Sequence, residues 1–251
     1  FLGGIIWHLV LRGVGQDLGW RTCMRAHLLA NLGGYLPGYG WKFVGKAYLI
    51  QRAGVPVAWV SFAVLLEFAG LAISRAVVAL SALPPAFLNR FGWEVESGAL
   101  WLSRVLAWAL LLAAPWLLQM LLRYLPQAAR LRRTQIRPRS LALNRRTFGE
   151  DCEHEAAPVA LLTRAIYDVG PEHLASLVFS TTTSFLVSLL MFFVPAGLGV
   201  RESVVIFTLE GLLPDAISTL GALLSRVVLI IAEVLGALAG SWIGIKERLC
   251  K

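Results

Sequence analysis

Charge is what this chain has least of. Only 15% of its 251 residues are Asp, Glu, Lys or Arg, against 57% hydrophobic ones, and mean hydropathy is +0.69. A typical soluble domain carries roughly 25% charged residues, so this composition excludes an ordinary soluble globular protein. Acid is scarcer than base, 15 residues against 23, and between Arg123 and Arg146 there are eight arginines and no acid. Cysteine is sparse and odd in number, at Cys23, Cys152 and Cys250, which excludes a disulfide framework. Phosphate-loop, dinucleotide-binding and Ser/His/Asp patterns are missing, so no cofactor is implied. Asp151-Cys152-Glu153-His154-Glu155 has metal-capable residue types without a spacing that defines a site, and His8, His27 and His173 are isolated. The chain opens at Phe1, inside an apolar run and without an initiator Met, so helix is expected upstream.

What is abundant is apolar and aromatic. Nine Trp, twelve Phe and five Tyr suit a protein that places aromatics at membrane interfaces. Residues 56–83, 99–122 and 216–245 each reach the roughly 20 apolar residues needed to cross a bilayer, and 173–194 is also long enough. Residues 22–36, 41–52 and 203–213 are too short. The expected class is an all-α integral membrane protein, a polytopic helical bundle. Its parts are a first transmembrane half at 1–122, an Arg-rich loop with an interfacial segment at 123–172, and a second transmembrane half at 173–251. Arg-rich loops face the cytoplasm and contact anionic lipid head groups. The net charge of +8 therefore marks topology and does not suggest nucleic-acid binding.

One unusual stretch occurs twice. Tyr35-Leu36-Pro37-Gly38-Tyr39-Gly40-Trp41-Lys42 is matched by Phe193-Val194-Pro195-Ala196-Gly197-Leu198-Gly199-Val200-Arg201-Glu202. Each has an aromatic, an aliphatic, a proline, two spaced glycines, and a basic residue two positions after the last glycine. Pro56 and Pro214 follow at similar intervals, each leading into a long apolar segment. The span 99–122 ends at the Arg-rich loop and so runs inward, which makes 56–83 run outward. The span 216–245 ends at Lys246, Arg248 and Lys251 and runs inward. Helix-breaking Pro and Gly at matching places in oppositely directed halves predict an inverted repeat with two re-entrant segments around a binding site.

Charges inside the spans are the second signal. Glu67, Arg75, Arg226 and Glu233 lie well within apolar runs, where each costs roughly 2.5–3.5 kcal/mol on insertion scales. They are expected to face the bundle interior, either as cross-helix salt bridges that fix packing or as a polar pathway. Pairing across the two halves is the more natural arrangement, because neither pair has the spacing of direct contact along one helix. Pro37, Gly38, Gly40, Pro195, Gly197 and Gly199 break the backbone, and the helix that follows each break offers free N–H groups to an anion. Lys42, Lys46, Arg201 and Glu202 lie just inside those helix starts and are the candidate head-group residues. The alternative is that Gly and Pro only let helices turn and pack, with the basic side chains snorkelling. Thr181-Thr182-Thr183-Ser184 is expected to hydrogen-bond back onto its own helix.

Through Asn31-Leu32-Gly33-Gly34-Tyr35-Leu36-Pro37-Gly38-Tyr39-Gly40-Trp41 and Val194 to Glu202, the chain resembles the lysylphosphatidylglycerol synthase transmembrane-region family. That family includes the flippase domain of the multiple peptide resistance factor and stand-alone bacterial relatives. The resemblance implies a helical bundle with re-entrant segments around a lipid-accessible cavity in the bacterial inner membrane. It implies a lipid-translocating role, with Arg201 and Glu202 in the family's Gly-x-Arg-Glu element. The chain stops six residues after its last span, so lipid aminoacylation is not expected of it. The leading expectation is a non-enzymatic, flippase-like protein whose partners are membrane lipids with an anionic or lipid-linked head group. Two other readings stay open: a membrane-embedded enzyme using Glu202 or Glu233 as general base on a lipid phosphate or glycosyl carrier, and an accessory subunit of a cell-envelope synthase docking through residues 126–147. Homo-oligomerisation stays open as well.

Overall fold

The computed structural model describes residues 2–36, 40–92, 173–191 and 193–249, with a scatter of positions between 98 and 170. Pro37, Gly38, most of the expected span 99–122, the Arg-rich loop and nearly all of 150–172 lie outside the described residues. The named elements are helical throughout: α1 (Leu2–Gly13), α2 (Trp20–Asn31), a 3-10 turn (Leu32–Tyr35), α3 (Trp41–Gln51), α4 (Val57–Ala82) and α5 (Pro85–Asn89). The second half contributes α6 (Leu174–Leu190), a 3-10 turn (Pro195–Gly197), α7 (Val200–Leu209) and α8 (Asp215–Leu249).

Proline and glycine set most of these ends. Pro56 holds an extended backbone (ψ 138°) just before α4. At the other end, Leu83 leaves the helix (ψ 114°) because a residue before proline is pushed out of the α region. Gly211 at φ +78° and Pro214 separate α7 from α8, and Asp215 opens α8 with a charge that suits a helix N-terminus.

The run 173–194 does not make one helix up to its proline. It leaves α geometry at Met191 (φ −87°, ψ 51°), and Val194 is extended ahead of Pro195. The resulting α6 has 17 residues, a length of about 26 Å, short of a ~30 Å hydrocarbon core.

Two described helices are long and apolar enough to cross a membrane, Val57–Ala82 and the Asp215–Trp242 part of α8. Their most apolar windows are only 28% and 17% buried. Leu220, Leu223, Val227, Ile231, Val234, Leu235 and Leu238 of α8 are among the exposed residues. A soluble core helix would bury such a surface; here it stays exposed.

Each half has its own core. Trp7, Leu11 and Val14 of α1 pack with Cys23 and Ala26 of α2, Ile50 of α3, and Val60 and Ala63 of α4. In the second half Leu177, Val205, Leu209, Leu213 and Ala222 join α6, α7 and α8. The halves interlock by exchange: α2 of the first half packs on α8, and α6 of the second half packs on α4. On α8, a Cβ at Gly236 or Gly240 would come within 3.2 or 3.1 Å of Leu28 on α2. These two small residues let the helices approach closely. At one end of the molecule Arg90, just past α5, donates to the Phe207 carbonyl at 2.9 Å and pairs with the Glu210 carboxylate. The C-terminal end of α4 and the start of α8 are thereby held on the same side.

Candidate functional site

The two broken segments meet. The turn Leu32–Tyr35 touches the turn Pro195–Gly197, and it also touches α8. Close backbone approach makes this geometry. A Cβ on Gly33 would lie 2.9 Å from the Trp41 carbonyl oxygen, so only glycine lets the first turn of α3 fold back onto its own break. Gly197 sits at φ +65°, and a Cβ there would meet the Ser188 Cβ at 2.7 Å. Neither α3 nor α7 has a side-chain cap at its start.

A cavity of about 60 Å³ opens where these segments converge. It is lined by Asn31, Tyr35 and Lys42 from the first half, with Phe185, Ser188, Arg201, Arg226 and Glu233 from the second. A smaller cavity of about 30 Å³ adjoins it through the shared Arg201, Arg226 and Leu229, and adds Glu202, Thr181, Ser184 and Ser225. Five of the eight charged residues singled out in the sequence, Lys42, Arg201, Glu202, Arg226 and Glu233, thus line two neighbouring cavities. Three cations stand against two carboxylates, a surplus suited to an anion.

The surroundings fix these charges. Tyr35 donates its hydroxyl to a Glu233 carboxylate oxygen, tying the first break to the middle of α8. Glu202 and Arg226 face each other at 3.7 Å, both largely buried, and the other Glu202 oxygen is buried without a hydrogen-bond partner. Phe185 carries Arg75 over its ring at 3.8 Å and Arg201 at 5.5 Å. Arg75, from α4, is buried beside this wall. Thr181, Ser184 and Ser225 donate to carbonyls of their own helices at 3.0, 2.7 and 2.7 Å, as the run of hydroxyl residues predicted for the first two.

Lys46 and Glu67 lie elsewhere. Lys46 was expected near the head group; instead its ammonium makes two 2.7 Å hydrogen bonds to Glu67, and both residues are buried. The indole of Trp7 lies 4.7 Å from the same ammonium, and His27 Nδ1 stands 4.0 Å from Glu67 Oε1. The ion pairs described for Glu67 and Glu202 therefore fall inside the two halves, whereas Tyr35–Glu233 and Arg75–Phe185 cross between them.

Sequence reasoning missed Phe185, Ser188 and Asn31 as lining residues, and His27 and Trp7 as neighbours of Glu67. Only Asn31 and His27 carried a signal, as polar residues four apart on one face of α2. Comparison with protein-family models, with curated proteins and with solved structures finds no match for this chain.

Proposed function

We propose that the chain binds the anionic head group of a membrane lipid where its two broken segments meet, and carries it between leaflets. The observation that supports this most is the shared cavity, lined from both halves by Lys42, Arg201 and Arg226 and reached only because two interrupted helices converge. Charges this deep in apolar helices mark pathways by default, and broken segments in two corresponding halves are the usual pointer to a transporter site.

An inverted repeat is the architecture we infer. Exchanging α2, α3 and α4 with α6, α7 and α8 maps the main packing onto itself: α2 on α8 becomes α6 on α4, and α3 on α4 becomes α7 on α8. The joint between the short and the long helix is an ion pair in both halves with its signs reversed, Lys46–Glu67 in one and Glu202–Arg226 in the other. In this reading the Arg-rich loop and the C-terminus are cytoplasmic, in a bacterial inner membrane, in keeping with the resemblance to the lysylphosphatidylglycerol synthase transmembrane region. The hydroxyls beside Glu202, on Thr181, Ser184 and Ser225, donate to carbonyls of their own helices and lend the enzyme reading no support.

The test is transbilayer movement of head-group-labelled lipids in proteoliposomes. Wild type is expected to move an anionic lipid, and Lys42→Ala/Arg201→Ala to lose most of that rate. Equal rates in both proteins would refute the reading.

A further inference from the structure

A second cluster of ionisable groups lies apart from the head-group cavity, and binding a lipid makes no use of it. Lys46 of α3, Glu67 of α4 and His27 of α2 converge beside Trp7 of α1. Two groups would suffice to neutralise each other. The third is an imidazole whose Nδ1 is buried without a hydrogen-bond partner, 4.0 Å from the Glu67 carboxylate and beyond hydrogen-bond range.

We propose that this cluster is a proton site that drives lipid movement, an inference that rests on the lipid-translocating reading above. With Lys46 charged, Glu67 ionised and His27 neutral, the cluster carries no net charge. A proton from bulk water adds to a Glu67 carboxylate oxygen, the cluster becomes singly positive, and the two bonds from Lys46 weaken. The ammonium keeps the face of Trp7 as a second partner, so it need not return to water. The proton leaves to water on the other side, and the pair re-forms.

The link to the cavity runs along α3. Lys42 lies one helical turn before Lys46, on the same face, and lines the head-group cavity. A shift of α3 against α4 on loss of the Lys46–Glu67 bonds therefore moves a cavity cation. Among the described residues, the other charged or titratable groups on the elements packed around the cluster include His8 and Arg12 on α1, Arg21 and Arg25 on α2, Lys42 on α3, Arg75 two turns further along α4, and Arg226 and Glu233 on α8, while α6 has no charged residue.

The experiment has two arms on the full chain. Infrared difference spectra in phosphatidylcholine nanodiscs are recorded as pH is lowered. A protonated-carboxyl band is expected in wild type and lost in Glu67→Gln. Identical wild-type and variant spectra over the pH range where the protein stays folded would overturn the proposal. The second arm uses proteoliposomes with labelled phosphatidylglycerol and a one-unit pH gradient. One proton per lipid supports up to about tenfold asymmetry between leaflets at equilibrium. Asymmetry that persists in the variant overturns proton coupling while leaving lipid translocation standing. Absence of any movement in wild type fails the translocation reading, and the infrared arm still decides the proton site. If Glu67→Gln does not fold, Lys46→Gln/Glu67→Gln removes both charges together and is expected to lack the same band and the same gradient response.

Discussion

Single residues set the local interactions, and one ion pair and one glycine make sharp predictions. The Lys46–Glu67 pair is buried with a bidentate geometry, so removing one partner strands a charge. Lys46→Met alone is expected to destabilise the fold by about 3–5 kcal/mol, whereas Lys46→Met/Glu67→Leu recovers most of the loss. Reversible unfolding in mixed detergent micelles measures both, and equal losses in the two variants would show that the single change strands no charge. Gly197 combines a positive φ with a 2.7 Å approach to Ser188. Gly197→Ala is expected to cost about 1–3 kcal/mol, while Gly45→Ala, whose Cβ would find Ala30 at 3.8 Å, should be tolerated in the same assay. At this scale the sequence was only partly legible. Glu67, Arg75, Arg226 and Glu233 stood out because charge in an apolar run is costly. Their partners did not, since Tyr35 and Glu233 are 198 residues apart and spacing along the chain says nothing about such a contact. Lys46 was placed with Lys42 because both follow one helix start. Nothing in the local pattern tells that Lys46 points at α4 rather than into the cavity.

At the scale of elements, proline and glycine wrote most of the boundaries. Pro56, Pro84 and Pro214 each fall where a helix starts or stops, for the steric reason that makes proline legible from sequence. The early end of α6 was not legible. Its apolar run continues to Val194, and only the chain's departure at Met191 reveals that the break begins four residues before Pro195. Packing between α2 and α8 rests on Gly236 and Gly240 against Leu28. Gly240→Ala is expected to cost about 1–3 kcal/mol by overpacking, and Leu28→Ala in the same protein should cancel much of that cost. A double-mutant cycle reads the coupling; strictly additive losses would mean that the two helices do not touch there.

On the scale of the whole molecule, two separately cored halves interlock so that each long helix packs against the broken segment of the other half. The repeated Pro-Gly stretch and the parity of the spans predict two halves running in opposite senses, the inverted repeat proposed above. The closing of both breaks onto one cavity could not be read from the chain, because it depends on how α2 lies on α8 and α6 lies on α4. This convergence puts Lys42 and Arg201, 159 positions apart in sequence, on the wall of one site. Lipid binding at this place requires that the site be shared. The most direct measurement is the affinity of the purified protein for a short-chain anionic phospholipid, with Lys42→Ala and Arg201→Ala tested singly and together. A charge-assisted hydrogen bond contributes about 1.5–3 kcal/mol, so each single change is expected to weaken binding about tenfold or more, and the double change further still. Undiminished binding in either single variant would contradict a site built from both halves.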